Sequence, residues 1–406
     1  QFDSNKQARH VKAFAKVDSL LTTEFTDKQI FVKVEALLKR HDPGAAPRII
    51  YQSSDLHNVL LGPVMWQCTK RMFSCFEHAE AGDTPSYMGA YAKQSPALVA
   101  RINRAGNDDS VYVESDFSSN DMTQLEDVHL LEIAWLTRFG APLWLTALMH
   151  VANRFKATNH KHKVKVRVAN QLPTGAQSTT FRNSLWNASI NYTWALENGY
   201  RGDVLILGDD MLMRLDNPGR RRQAVRRSYE YVCKRAGMRA AVKVRKHLSE
   251  CEFLSRQFLP DGRGSFKMAP KLGKALARFN VRASKNEALS DNEYIAGKAL
   301  SYAYEFRYVT PICRLFLLRY AECEIDNPRL DALGWNARGS FLEHGHAGIM
   351  KSIDEAVGIP RDCMTQFYHW KYNLTSTDVV VLVTKLLFGH RDLESGEVGF
   401  LTVDWL

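Results

Sequence analysis

Three acidic residues stand where they could do chemistry. Asp116 closes the run VYVESDF at 111–117, and Asp209 and Asp210 follow Gly208 between two apolar runs in DVLILGDDMLMRL at 203–215. The β-branched and aromatic content of the first segment predicts a buried strand, and the Gly-Asp-Asp interruption of the second predicts a β-hairpin. If strand and hairpin lie side by side in one antiparallel sheet, their carboxylates arrive at one point. Like charges that close are costly without a cation, and oxygen ligands with open positions suit Mg²⁺ or Mn²⁺. Two such ions about 4 Å apart form a clamp for in-line displacement at phosphorus, one activating a hydroxyl and the other holding the departing pyrophosphate. Nucleotidyl transfer fits this donor set. Asp in a hairpin turn is also ordinary turn chemistry, so Gly-Asp-Asp alone does not decide the matter.

The elements that must position these residues follow from the pattern of the chain. Apolar residues at helical spacing (Leu125, Val128, Leu131, Ile133, Leu136) predict a helix over 124–139, and KHKVKVRV at 161–168 alternates charge and valine like a half-exposed strand. A glycine turn and a second helix follow over about 174–198, then the hairpin, then a helix over about 218–237 ending at Gly237. After 270 the pattern is mostly helical. Strand, helix, hairpin, helix and strand in that order predict an α+β sheet with helices on one face.

Composition narrows the partners. A chain of 406 residues, 45% hydrophobic and 24% charged, is globular with room for two or three subdomains, which excludes disordered and fibrous classes. Its net charge of +10 favours a polyanion, with nucleic acid the first candidate. Seven cysteines without regular spacing argue for a reducing compartment and against a disulfide framework, and Cys68, Cys75 and His78 are poorly spaced for zinc. The apolar run 130–149 is broken by Arg138, Gly140 and Pro142, and 379–388 is short and carries Lys385, so no membrane segment is expected within the chain. The chain begins at Gln1 without a leader pattern, which predicts a fragment of something longer whose membrane anchor, if it has one, lies outside.

Order and spacing lift the acidic residues above coincidence. Asp116 and Asp121 have four residues between them in DFSSND, which places them five positions apart; Thr174-Gly175 is followed by Thr179 and Asn183 in TGAQSTTFRN; Gly208-Asp209-Asp210 comes last. In these three motifs, in this order, the sequence resembles the palm of RNA-dependent RNA polymerases of positive-strand RNA viruses, where they are motifs A, B and C. The segment FVKVEALLKRHDPGAAPRIIYQSSDLHNVLLGP at 31–63 resembles motif F of tombusvirus-like and nodavirus-like polymerases, and CEFLSRQFLPDG at 251–262 resembles their motif E. Asn120 departs from the aromatic residue those families usually have before the second motif A aspartate.

The resemblance implies a right hand: N-terminal fingers over 1–110 with a basic NTP loop, a palm strand at 111–121, a fingers insertion at 122–170, palm motifs B to E at 171–262 and a helical thumb at 263–406. It implies Asp116, Asp209 and Asp210 as ligands of two Mg²⁺ or Mn²⁺ ions, and Lys243, with Lys246 second, as the proton donor to pyrophosphate. Asp121, Thr179 and Asn183 would sense the ribose 2′-OH, and Gly175 would let the loop before the helix approach template and nucleotide. Arg48 would grip the triphosphate in a channel shared with Lys33, Lys39 and Arg40, while Ser255 and Arg256 would lie nearest the priming strand. The partners implied are RNA template and product strand, NTPs and other viral replication proteins. The implied setting is the host cytoplasm, in membrane-associated replication complexes reached through regions or partners outside the chain. A reverse transcriptase shares the palm, but Gly208 stands where that group has an aromatic-X-Asp-Asp motif, and Asp121 with Asn183 is placed to accept a 2′-OH. A non-enzymatic basic RNA-binding or coat protein would satisfy the charge and leave the ordered acidic motifs without purpose.

Overall fold

The computed structural model describes residues 4–17, 23–32, 49–77, 86–89, 99–100, 102–103, 110–118, 120–216, 218–219, 221–279, 281–282, 289–389 and 404. The chain forms two compact units that part between Leu254 and Ser255. Among the described residues no helix is long and apolar enough to cross a membrane.

The strands of the first unit are β1 (Asp27–Val32), β2 (Ile49–Gln52), β3 (Ser86–Gly89), β4 (Val111–Phe117), β5 (Arg154–Asn159), β6 (Val164–Ala169), β7 (Arg201–Leu207), β8 (Asp210–Asp216), β9 (Ala240–Arg245) and the short β10 (Glu252–Phe253). Five of them make a sheet in the order β3-β7-β8-β4-β9, antiparallel except for the β3–β7 pair. Successive side chains of a strand point to opposite faces. On β4 this buries Val111, Val113, Ser115 and Phe117 and turns Tyr112, Glu114 and Asp116 the other way. The apolar face packs under two helices, Thr179–Asn198 and Arg222–Arg235, in a core of Val113, Phe117, Met213, Val204, Trp194 and Tyr229. Trp194 meets Tyr229 edge to face at 4.8 Å, a geometry that aligns ring edge with ring face.

The Thr179–Asn198 helix serves two cores. Its first half buries Phe181 and Leu185 against Met65, Met72, Leu136 and Leu145, and its second half lies on the sheet. It starts later than the expected 174, because residues 173–178 form turns, and it stops where Gly199 takes φ 66 and Tyr200 donates back to the Ala195 carbonyl (2.9 Å).

A second sheet in this unit has the order β2-β1-β5-β6. Its β5–β6 hairpin is antiparallel, with Lys156 opposite Arg167 and Thr158 opposite Lys165. The strand expected at 161–168 forms over Val164–Ala169, but it is an edge with no buried face: even Val164 and Val166 are 45% and 36% exposed.

In the second unit β11 (Arg256–Pro260) and β12 (Phe266–Pro270) pair antiparallel, and the rest is helical. Helices Asp291–Glu305 and Ser376–Leu387 start at reciprocal Ser290/Glu293 and Thr375/Asp378 capping boxes. Their apolar faces meet in a core that includes Phe279, Phe306, Phe316, Tyr368 and Val383. Between β10 and β11, Leu254 and Ser255 take φ 54 and 59 and interrupt the extended backbone.

Candidate active site

Gly208 and Asp209 are the two-residue turn between β7 and β8, with Leu207 and Asp210 paired across it. Gly208 takes φ 67 at the first turn position, which is where a type II′ hairpin needs glycine. The turn is held from the Thr179–Asn198 helix. Ser184 Oγ accepts from the Gly208 N–H (2.8 Å), and Asn187 Nδ2 donates to the carbonyls of Gly208 (3.2 Å) and Asp209 (3.1 Å). Asn191 Nδ2 in turn donates to Asn187 Oδ1 (2.8 Å) and fixes its orientation.

The β4–β8 ladder runs as far as Ser115 opposite Met211, so Asp116 and Asp210 stand at the next positions of neighbouring strands. By alternation they share the face of Glu114, and both are exposed, as is Asp209. Under Asp116, on the covered side, Ser115 Oγ meets the buried Tyr229 hydroxyl at 3.2 Å, and burial holds that phenol well above its ordinary pKa, as a neutral hydrogen-bonding group.

On β9 the face bearing Asp116 continues through Ala241, Lys243 and Arg245, which pair with Asp116, Glu114 and Tyr112. Lys243 is exposed and directly opposite Glu114. Burial raises the Glu114 pKa, while the Glu252 N–H and Arg245 (3.4 Å) work against that rise.

Of the three residues expected to sense the ribose, Asp121 and Asn183 come together and Thr179 does not. Asn183 Nδ2 donates to Asp121 Oδ1 (3.1 Å). Thr179 stays outside: its hydroxyl donates to the Ala176 carbonyl (2.9 Å), satisfying a turn at the helix start. Thr174 supplies the hydroxyl instead, donating to Asp121 Oδ2 (2.5 Å). Gln124 is the second addition, its Nε2 donating to Asn183 Oδ1 (2.6 Å). Behind them Arg182 donates to the carbonyls of Gln124 (2.8 Å) and Leu125 (3.3 Å), and the buried Glu132 lies 3.6 Å from Arg182 and 3.2 Å from His129.

Gly175 takes φ 95 beside β2, where the Thr174 carbonyl accepts from Tyr51 N–H (3.0 Å); an added Cβ would lie 3.2 Å from Ile50 and 3.3 Å from the Tyr51 oxygen. Arg256 is a correction. Expected at an RNA strand, it is buried and ion-paired to Glu305 (2.8 Å), its charge spent inside the second unit. Ser255 lies beside it and its Oγ accepts from Lys274 Nζ (3.4 Å). Lys33 and Arg48, with Lys39 and Arg40, lie outside the described residues.

Exposed carboxylate oxygens on adjacent strand ends fit Mg²⁺ or Mn²⁺, which take one or two protein carboxylates and leave other positions to water and phosphate. Among the described residues no group of three or more His, Cys, Asp and Glu side chains is gathered closely enough to hold a metal ion, Asp116, Asp209 and Asp210 included.

The profile of a protein family described as RNA dependent RNA polymerase matches residues 28–294. The fold is similar to the crystal structure of the RNA-dependent RNA polymerase of a human picorbirnavirus, with a TM-score of 0.60 and 15% identity over 81% of this chain and 64% of that one. An insertion-loop deletion mutant of the same enzyme gives a TM-score of 0.54 and 18% identity over 77% of this chain and 59% of that one. The chain thus spans less than two-thirds of the length of these structures. No curated protein matches the sequence.

Proposed function

We propose template-directed RNA synthesis for this chain, which belongs to the RNA-dependent RNA polymerase family: a primer or initiating 3′-OH attacks the α-phosphorus of an NTP and pyrophosphate leaves. The setting is replication of a viral RNA genome, in line with the viral origin of the similar polymerase structures. The observation that carries the reading is the meeting of Asp116 with the Gly208-Asp209-Asp210 turn on one exposed sheet end, the turn being braced by Ser184 and Asn187.

In right-hand terms, 111–121 and 171–262 are palm, 1–110 and 122–170 are fingers and 263–406 is thumb. Asp116, Asp209 and Asp210 would hold the divalent ions. Bound there, the ions lower the pKa of the attacking hydroxyl and offset charge on the phosphates. Lys243, exposed on the same sheet face, gives a proton to the departing pyrophosphate. Asp121 and Asn183 accept and donate at the ribose 2′-OH, a group with both capacities. The exposed cations of β5 and β6, Arg154, Lys156, Lys165 and Arg167, lie on one side of the hairpin and meet template phosphates, while base pairing supplies sequence choice.

Ribonucleotide extension on an RNA template in Mg²⁺ tests the reading. The protein should extend with NTPs and not with dNTPs, and Asp209→Ala should abolish extension with melting temperature and RNA binding retained. Comparable synthesis by the Ala variant would remove Asp209 from the chemistry. A reverse-transcriptase reading predicts extension with dNTPs.

A further inference from the structure

The hydrogen bonds around Asp121 run in one direction only. A carboxylate can only accept, and Asp121 accepts from the Thr174 hydroxyl (2.5 Å) and from Asn183 Nδ2 (3.1 Å). Asn183 therefore presents its NH₂ to Asp121 and its oxygen to the opposite side, where Gln124 Nε2 donates to it at 2.6 Å. Turning the Asn183 amide over would set two acceptors against each other at Asp121 and two donors against each other at Gln124.

Packing does not explain a glutamine at position 124. The side chain is wholly buried, and its Oε1 has no hydrogen-bond partner, a costly state that an apolar side chain of similar length would avoid. The amide's distinctive contribution is the donor it gives Asn183. Its backbone is pinned as well, since Arg182 holds the carbonyls of Gln124 and Leu125 and is itself compensated by Glu132.

We propose that Gln124 is a positioning residue for ribose selection. It holds the Asn183 amide so that one Nδ2 proton goes to Asp121 and the second is left for the 2′-oxygen of the incoming nucleotide. The 2′-hydroxyl proton goes to a lone pair that Asp121 has not used. Thr174 acts on the other carboxylate oxygen and stops Asp121 from rotating. This inference rests on the reading of Asp121 and Asn183 as the ribose-sensing pair, and it adds a residue that touches no substrate.

Single-nucleotide incorporation on a primed RNA template, comparing an NTP with the matching dNTP, tests it. Gln124→Met keeps the length of the side chain and removes the donor. The NTP-over-dNTP ratio of kcat/KM should fall about tenfold, the loss coming from the ribonucleotide, whose 2′-OH is the group affected. An unchanged ratio, or equal losses for both substrates, overturns the proposal.

Gln124→Glu keeps the question answerable if the Met variant does not fold. A protonated carboxyl donates to Asn183 as the amide does, whereas a carboxylate cannot, so in this variant the ratio should decline as pH rises. A flat ratio across pH counts against the proposal. Asp121→Ala and Asn183→Ala separate two kinds of failure. If these lower the ratio and the Gln124 variants do not, the positioning role is wrong and the ribose reading stands; if none lowers it, the ribose reading itself has failed.

Discussion

The two sheets of the first unit carry opposite charge and hold it in opposite ways. On the five-stranded sheet the acidic groups are exposed, but each sits on a polar scaffold: Ser184 and Asn187 fix the turn of Asp209, and Ser115 with Tyr229 lies beneath Asp116. On the four-stranded sheet the cations of β5 and β6 are set only by strand alternation, and Lys156 faces Arg167 directly across the ladder. Chemistry at a phosphorus atom requires reacting groups held to within fractions of an ångström, whereas attraction to a phosphate backbone falls off slowly and tolerates a mobile side chain. Buried hydrogen bonding, more than charge, is therefore what distinguishes the proposed reacting surface from the proposed attracting one.

Removing the scaffold beneath the acids is the strongest way to break this comparison. Asn187→Leu leaves the Gly208 and Asp209 carbonyls without their helix donor and should lower kcat about 10- to 100-fold with the KM for NTP little changed, alongside a stability loss of about 1–3 kcal/mol. Steady-state kinetics and thermal melting on the same preparation separate the two effects. A variant that melts earlier but turns over at the wild-type rate would reduce Asn187 to a brace of the fold.

The scaffold is also the part least legible in the sequence. The hairpin could be read because a glycine between two apolar runs has few alternatives, and β4 because its β-branched and aromatic residues favour a strand. Thr174 and Thr179 are the same residue type five positions apart, and which hydroxyl reaches Asp121 depends on where the helix starts, which the turns at 173–178 decide. Gln124 lies three residues beyond Asp121, but its partner Asn183 is 59 residues further along, and nothing in the spacing joins them. Arg256 reads as an RNA contact until the fold places Glu305 beside it. The break at Leu254 and Ser255 has no glycine or asparagine to announce its positive φ. Parallel pairing of β1 with β5 and of β3 with β7 likewise depends on long-range contacts rather than local pattern.

Arg167→Glu sharpens the other side of the comparison, because its two effects should have opposite signs. Like charges directly opposite on a ladder destabilise, so a glutamate facing Lys156 should raise stability by about 0.2–1 kcal/mol. The same change removes one of the proposed phosphate contacts, so affinity for single-stranded RNA should fall and the slope of log K against log salt should become shallower by about 0.7. Denaturant titration and salt-dependent RNA binding measure the pair. An RNA affinity that holds at all salt concentrations would leave these cations the role of guarding an edge strand against association.

A further test concerns titratable groups buried beside the four-stranded sheet. Lys28 of β1 is buried with its Nζ donating to Ser53 Oγ (2.8 Å), and burial pushes its pKa down to about 8. His57 is buried near it and against Phe25 (ring centroids 5.3 Å); burial first and the Lys28 charge second push its pKa down from 6.5 to about 3. As pH falls below 6.5 the unfolded chain takes up a proton at His57, while the folded chain does not until about 3. The stability tied to the neutral ring is thus complete above 6.5 and is lost on acidification through that window, at up to about 1.4 kcal/mol per pH unit. His57→Phe, which keeps a ring against Phe25 and cannot titrate, should flatten the fall of melting temperature between pH 6.5 and 4.5 while leaving the value at pH 7.5 within a few degrees. Equal slopes in the two proteins would mean that His57 is solvated, and that the apolar side of this sheet does not exclude charge as the covered side of the five-stranded sheet does.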